Sequence, residues 1–312
     1  MNWLTIALGA YLLLAIANLL DKFLVDNVIK NSRAYAFAAC ILGLIVILVA
    51  PWFLKWPGFA WFLFNILAGF IFAVALWFLY EALRRGEAAR TLVFIGGLTP
   101  VFSIFFSILF FKEKYSYEQW LGMGFLLAAV LVISLLPQPR SFLARLLIKL
   151  GIKKRLNKPS LIIALFSALA YSLYFIATKH AYNHQPFLSA FIWTRIGAGV
   201  FVLFFLLQKN VRLAIYELLF KAKPVKNRGL VIVNQGIGST GFILQNYAIA
   251  LGPVAIINAM QGFQYAFLLI LSAVLASLSP RLLKESFSWR IVLQKLLAII
   301  LVAIGLYFIA SF

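Results

Sequence analysis

The 312-residue sequence predicts an all-α integral membrane protein, ten transmembrane helices arranged as two inverted five-helix repeats. Three observations predict it: the composition, ten apolar runs of membrane length, and a polar hexad that occurs once in each half. The chain is 64% hydrophobic and only 12% charged, with a mean hydropathy of +1.01. Soluble domains are about half apolar and about a quarter charged, so water is the wrong solvent for this chain. Barrel strands are also excluded, because they alternate in polarity over about ten residues, whereas these runs are longer and apolar on every side.

A helix needs about 20 apolar residues to cross the hydrocarbon core. The runs that qualify are 3–20, 34–53, 59–83, 90–111, 120–136, 160–178, 187–207, 229–251, 254–278 and 289–309. Ala15-Ile16-Ala17 in the first resembles a signal-peptidase site, but no Lys or Arg precedes the run and it is too long for a signal h-region. It is therefore read as a retained span.

Of 28 Lys and Arg, 22 flank the connections after spans 1, 3, 5, 7 and 9, and only 4 flank those after spans 2, 4, 6 and 8. Positive loops stay cytoplasmic, so both termini are expected outside. The net charge of +20 is thus a topology signal, with anionic lipid headgroups as the expected contact of loops 137–159 and 208–228, and no nucleic-acid partner is expected. The inner (plasma) membrane of a prokaryote is the expected location. Trp3, Trp52, Trp56, Trp61, Trp120 and Trp289 mark span ends, as interfacial aromatics do; Trp77 and Trp193 lie deeper.

Residues 112–117 read Lys-Glu-Lys-Tyr-Ser-Tyr and residues 284–289 read Lys-Glu-Ser-Phe-Ser-Trp, opening spans 5 and 10 respectively. This divides the chain into a first repeat at 1–136, a basic linker at 137–159 and a second repeat at 160–312. Five spans is an odd number, so the second copy enters the membrane from the opposite side. Inverted copies suit a midplane site that opens to each side in turn.

The run Ala82-Leu83 through Gly86-Glu87-Ala88, then Leu98-Thr99-Pro100-Val101, Phe111-Lys112-Glu113-Lys114 and Gln119-Trp120-Leu121-Gly122 resembles the EamA-type ten-helix transporters of the drug/metabolite transporter superfamily. In the second half Ala266 stands where Pro100 would repeat, and span 9 is about six residues longer. The resemblance implies alternating-access export or exchange of small metabolites, with helices 1–4 and 6–9 around a central cavity. It also implies cytoplasmic termini, which the charge count opposes.

Polar side chains inside spans are expensive and usually face the bundle or a wet cavity. Helical spacing puts Ser167, Tyr171, Tyr174 and Thr178 on one stripe of span 6. Asn234, Gly238, Gly241 and Gln245 share a stripe of span 8, with Asn246 beside it, and Asn258, Gln261 and Tyr265 share one on span 9. Tyr171, Tyr174, Arg195, Asn234, Gln245, Asn258, Gln261, Tyr265, Asn18 and Trp77 are the candidate substrate-binding residues. Amides and hydroxyls offer donors and acceptors, which suits a zwitterionic or polyhydroxyl solute. Arg195 either binds an anionic group of the substrate or snorkels to the interface. Small residues and Ser or Thr glue helices together in membranes, and the Gly96, Thr99, Ser103 and Ser107 stripe of span 4 is read that way. Glu81 is expected to pair with Arg84 and Arg85 at i+3 and i+4.

One cysteine, Cys40, and two histidines leave no metal centre, and no cofactor is expected. There is no G-x-x-x-x-G-K-[ST], H-E-x-x-H or G-x-S-x-G sequence. The expected function is secondary transport of a small polar metabolite such as an amino acid, as a monomer or homodimer, and not enzymatic. The alternatives are a lipid-modifying enzyme at the basic interface and a non-transporting sensor or scaffold.

Overall fold

The computed structural model describes residues 2–27, 31–85, 88–134, 158–216, 225–264, 266–267, 271 and 289–310. Among them there is no strand. The first five helices are α1 (Trp3–Asn27), α2 (Ser32–Gly43), α3 (Phe59–Arg85), α4 (Ala88–Phe106) and α5 (Tyr117–Ser134). They are followed by α6 (Lys158–His184), α7 (Phe187–Leu203), α8 (Val225–Leu251), α9 (Val254–Ala259) and α10 (Trp289–Ala310), with a short helix Lys209–Tyr216 between α7 and α8. A 3-10 stretch, Leu44–Val49, and a last turn, Ala50–Phe53, extend α2. A π turn, Ser107–Phe111, ends α4 on Lys112, whose φ of 53° is left-handed and whose N–H caps the Ser107 carbonyl. The second hexad up to residue 288, most of the linker, Gly86 and Tyr265 lie outside the described residues.

Among the described residues, five stretches are long and apolar enough to cross a bilayer: Ser32–Phe53, Phe59–Arg85, Phe94–Phe111, Leu161–His184 and Phe187–Leu207. Their outward faces carry large apolar side chains such as Leu48, Trp52, Phe105, Phe166 and Leu207. That is the surface lipid requires.

Most span boundaries follow the apolar runs closely; α1 runs on to Asn27, past the expected end at 20, and the expected span 254–278 breaks after Ala259, while a third departure has a visible cause. Lys179 and His180 suggest that span 6 stops at 178, but α6 continues to His184. Its continuation is possible because Lys179 does not face solvent freely. Its Nζ donates to the carbonyls of Ile249 at 2.9 Å, Ala250 at 3.2 Å and Gly252 at 3.0 Å. These belong to the end of α8 and the turn after it, where a cation meets orphan carbonyls and the negative end of the helix dipole.

Contacts fix the relative directions of the helices. Tyr11 of α1 meets Gln245 of α8, while Ala17 lies against Gly238, so α1 and α8 are antiparallel. Phe242 lies beside Tyr174 and Phe175, and Ile249 accepts from Lys179, so α6 and α8 are parallel. It follows that α1 and α6 run in opposite directions. Helix α3 is antiparallel to α6 (Trp61 on His184, Ser167 donating to the Ala75 carbonyl) and parallel to α7 (Phe62 on Trp193, Phe70 on Phe201). The main packed pairs are α1 with α8, α3 with α6, α5 with α10, α3 with α7, α4 with α6, α4 with α9, α2 with α3, α4 with α5 and α2 with α7.

The α3–α7 pair is held by two glycines. A Cβ on Gly69 would lie 2.1 Å from the Thr194 carbonyl oxygen, and one on Gly197 would lie 2.4 Å from the Ile66 carbonyl oxygen. Small residues let membrane helices meet backbone to backbone, and here nothing larger fits.

Candidate functional site

Arg195 occupies the third turn of α7, two residues before Gly197, and the glycine contact brings α3 directly against it. Its side chain does not snorkel; the residue is only 6% exposed. The guanidinium carbon lies 3.9 Å from the centroid of Phe72 on α3, 4.9 Å from Phe242 on α8, 4.9 Å from Phe191 on its own helix and 5.5 Å from Tyr174 on α6. Four rings from four helices therefore surround one permanent cation. Cation–π attraction offsets part of its desolvation.

One Arg195 Nη donates to the Tyr174 hydroxyl at 2.6 Å. That hydroxyl donates to Asn246 Oδ1 at 3.1 Å, and Tyr182 donates to the same oxygen at 3.0 Å. The Asn246 amide donates to the Phe242 carbonyl at 2.9 Å. Asn246 is thus fully used in orienting two buried tyrosines, and through Tyr174 it orients the guanidinium. Arg195 Nε is buried and has no hydrogen-bond partner. No carboxylate pairs with Arg195 among the described residues.

Of the candidate residues, the structure brings Tyr174 and Arg195 into contact. Tyr171 stands one turn before Tyr174, half-buried, its ring 6.2 Å from Phe72. Gln245 is instead turned toward α1, donating to the Tyr11 hydroxyl at 3.2 Å, and Tyr11 donates to the Ile257 carbonyl of α9 at 2.6 Å. Asn258 donates to Ser103 of α4 at 2.8 Å, and Ser103 shares a 3.1 Å hydrogen bond with Ser172 of α6. Its side-chain carbonyl oxygen is buried without a partner. Asn234 is buried on α8, three turns before Gln245. Gln261 is half-buried just past the Met260 break after α9, and Asn18 is half-buried on α1. Trp77 stacks under Arg33, 4.8 Å from its guanidinium carbon, and against Phe205. Tyr265 lies outside the described residues.

The hydroxyl stripe of α6 therefore divides by role. Ser167 donates to the Ala75 carbonyl of α3 at 2.9 Å, and Thr178 donates to carbonyls of its own helix. Thr99 likewise donates to Ile95 at 2.8 Å, next to Pro100. Sequence reasoning missed Phe72, Phe191, Phe242 and Tyr182, and named Asn246 only as a neighbour of its stripe. Phenylalanines in a chain that is 16% aromatic carry no signal of their own. No group of three or more His, Cys, Asp or Glu suited to a metal ion occurs among the described residues.

Apolar helices of membrane length with exposed apolar faces, packed among the described residues around a buried cation, point to an integral membrane protein. Residues 1–135 match the model of the EamA-like transporter family. A solved crystal structure superposes on the chain with a TM-score of 0.62 at 18% identity, covering 97% of this chain and 96% of its own, which shows a shared fold. No curated protein matches the sequence.

Proposed function

We propose that the protein is a secondary transporter that moves a small polar metabolite by alternating access, in efflux or exchange. The observation that carries this reading is the pairing of the helices. Exchanging helix n for helix n+5 turns the α1–α8 pair into α6–α3, and returns α2–α7, α4–α9 and α5–α10 to themselves, whereas α3–α7 and α4–α6 gain no comparably packed counterpart among the described residues. With α1 and α6 opposed in direction, the exchangeable pairs support two inverted five-helix repeats, the usual frame for a midplane site that opens alternately. Substrate contact falls to Arg195, Tyr174 and Tyr171, flanked by Asn258 and Gln261. In the same reading the basic connections lie in the cytoplasm of a prokaryote and both termini outside.

The test is counterflow in proteoliposomes with a panel of labelled amino acids, organic acids and polyols, with Arg195→Ala and Gln245→Ala beside the parent. Uptake of a solute that depends on the same solute trapped inside, and that Arg195→Ala removes, is the expected result. No counterflow of any solute by a folded, reconstituted parent would sink the reading.

A further inference from the structure

We infer that the solute recognised at Arg195 carries a carboxylate on an apolar body and brings no ammonium group with it. This rests on the transporter reading only in calling the ligand a substrate.

A guanidinium in the bundle interior is tolerated when an anion or a full set of acceptors compensates it. Here the protein supplies one neutral acceptor, the Tyr174 hydroxyl, and leaves Nε empty although that atom is fully buried. Carboxylates take the planar guanidinium fork through paired hydrogen bonds, so an unfilled Nε is the donor such a group would use. Two of the amides nearest the tyrosine stripe are occupied, Gln245 by Tyr11, and Asn246 by Tyr174, Tyr182 and the Phe242 carbonyl, while Asn258 spends its NH2 group on Ser103 and keeps only a neutral acceptor free. What surrounds the open donor is apolar, namely Phe72, Phe191 and Phe242.

A substrate ammonium finds no counter-charge here. The nearest rings already face the guanidinium, and a second cation within a few ångströms is repelled in a low-dielectric interior. The same chemistry also fits the phosphate of an anionic lipid, so the test separates a dissolved solute from a headgroup.

Four probes share one ring and differ in charge: benzoate, benzylamine, phenylalanine and benzyl alcohol. Their binding to the full-length protein is measured by calorimetry in phosphatidylcholine nanodiscs. Benzoate is expected to bind about tenfold or more tighter than the other three. Arg195→Met is expected to weaken benzoate at least about 30-fold, while Arg195→Lys, which keeps the charge and loses the fork, weakens it less. The melting temperature of unliganded Arg195→Met is expected to equal or exceed that of the parent, because an uncompensated charge has been replaced by an apolar chain.

Preference for benzylamine or phenylalanine would overturn the inference, as would unchanged benzoate binding in Arg195→Met. An unliganded Arg195→Met that melts well below both parent and Arg195→Lys would also overturn it, since the arginine would then be structural. Loss of benzoate binding when phosphatidylglycerol replaces phosphatidylcholine would assign the site to a lipid phosphate and refute a dissolved solute. Benzoate binding without counterflow of any solute would sink the transporter reading and leave this inference standing. Counterflow of neutral or zwitterionic solutes with no benzoate binding would do the reverse.

Discussion

Glu81 and Arg195 are both buried charged residues, 8% and 6% exposed, and their surroundings are opposite. Glu81, near the end of α3, accepts from Arg84 Nη2 at 2.6 Å and Nε at 3.0 Å, from Arg85, and from the Ser32 hydroxyl at the start of α2. Both of its oxygens are filled, and the two arginines reach out to the wet interface. Arg195 has one hydroxyl, four ring faces and an empty Nε. The contrast separates a charge kept for architecture from one kept for something not part of the chain. A structural charge is partnered by its own protein, because a half-satisfied one is worse than none.

That comparison presumes a scaffold in which α3 is fixed against α7. The largest effect is therefore expected at Gly69. Gly69→Ala puts a methyl group against backbone that cannot rotate away, so a loss of about 3 kcal/mol or more is expected. Denaturant titration of the purified protein measures it, and wild-type stability would show that the helices separate easily.

Glu81→Ala comes next. It leaves two arginines and Ser32 without their common acceptor, at about 2 kcal/mol once the half-exposure of the arginines is allowed for. A lowered melting temperature with unchanged solute binding is the expected pattern. Altered solute selectivity instead would blur the distinction between the two charges.

The smallest effects sharpen the Arg195 side. Tyr182→Phe leaves Asn246 with Tyr174 as donor, so about 1 kcal/mol or less is expected. Tyr174→Phe removes the guanidinium's acceptor as well and is expected to cost more, read from the same titration. Equal losses would mean that the Arg195–Tyr174 contact adds nothing.

Much of the helical frame was legible because apolar length needs only composition. The ion pair at Glu81 was legible for a related reason: its partners lie at i+3 and i+4, within reach along one helix. Arg195 was visible as a charge in a span, but its surroundings come from α3, α6 and α8, and no local periodicity joins those segments. Gln245 and Asn246 show the limit most clearly. They are adjacent, about 100° apart on one helix, and only packing decides which meets α1 and which meets α6. The end of α6 was misread for the same reason, since Lys179 finds its acceptors on a helix some seventy residues later.

The glycine contact also has a mechanical meaning. Helix α3 has 27 residues, and at 1.5 Å per residue Gly69 leaves an arm of about 15 Å toward Phe59 and about 24 Å toward Arg85. Backbone-to-backbone contact resists sliding but leaves rotation open, so Gly69 and Gly197 form a fulcrum. A rocking of about 10° would swing the long end by about 4 Å and the short end by less than 3 Å the other way. Arg195, two residues from the pivot, would scarcely travel, and a ligand held there would see both ends of the lever move around it while its own anchor stayed still.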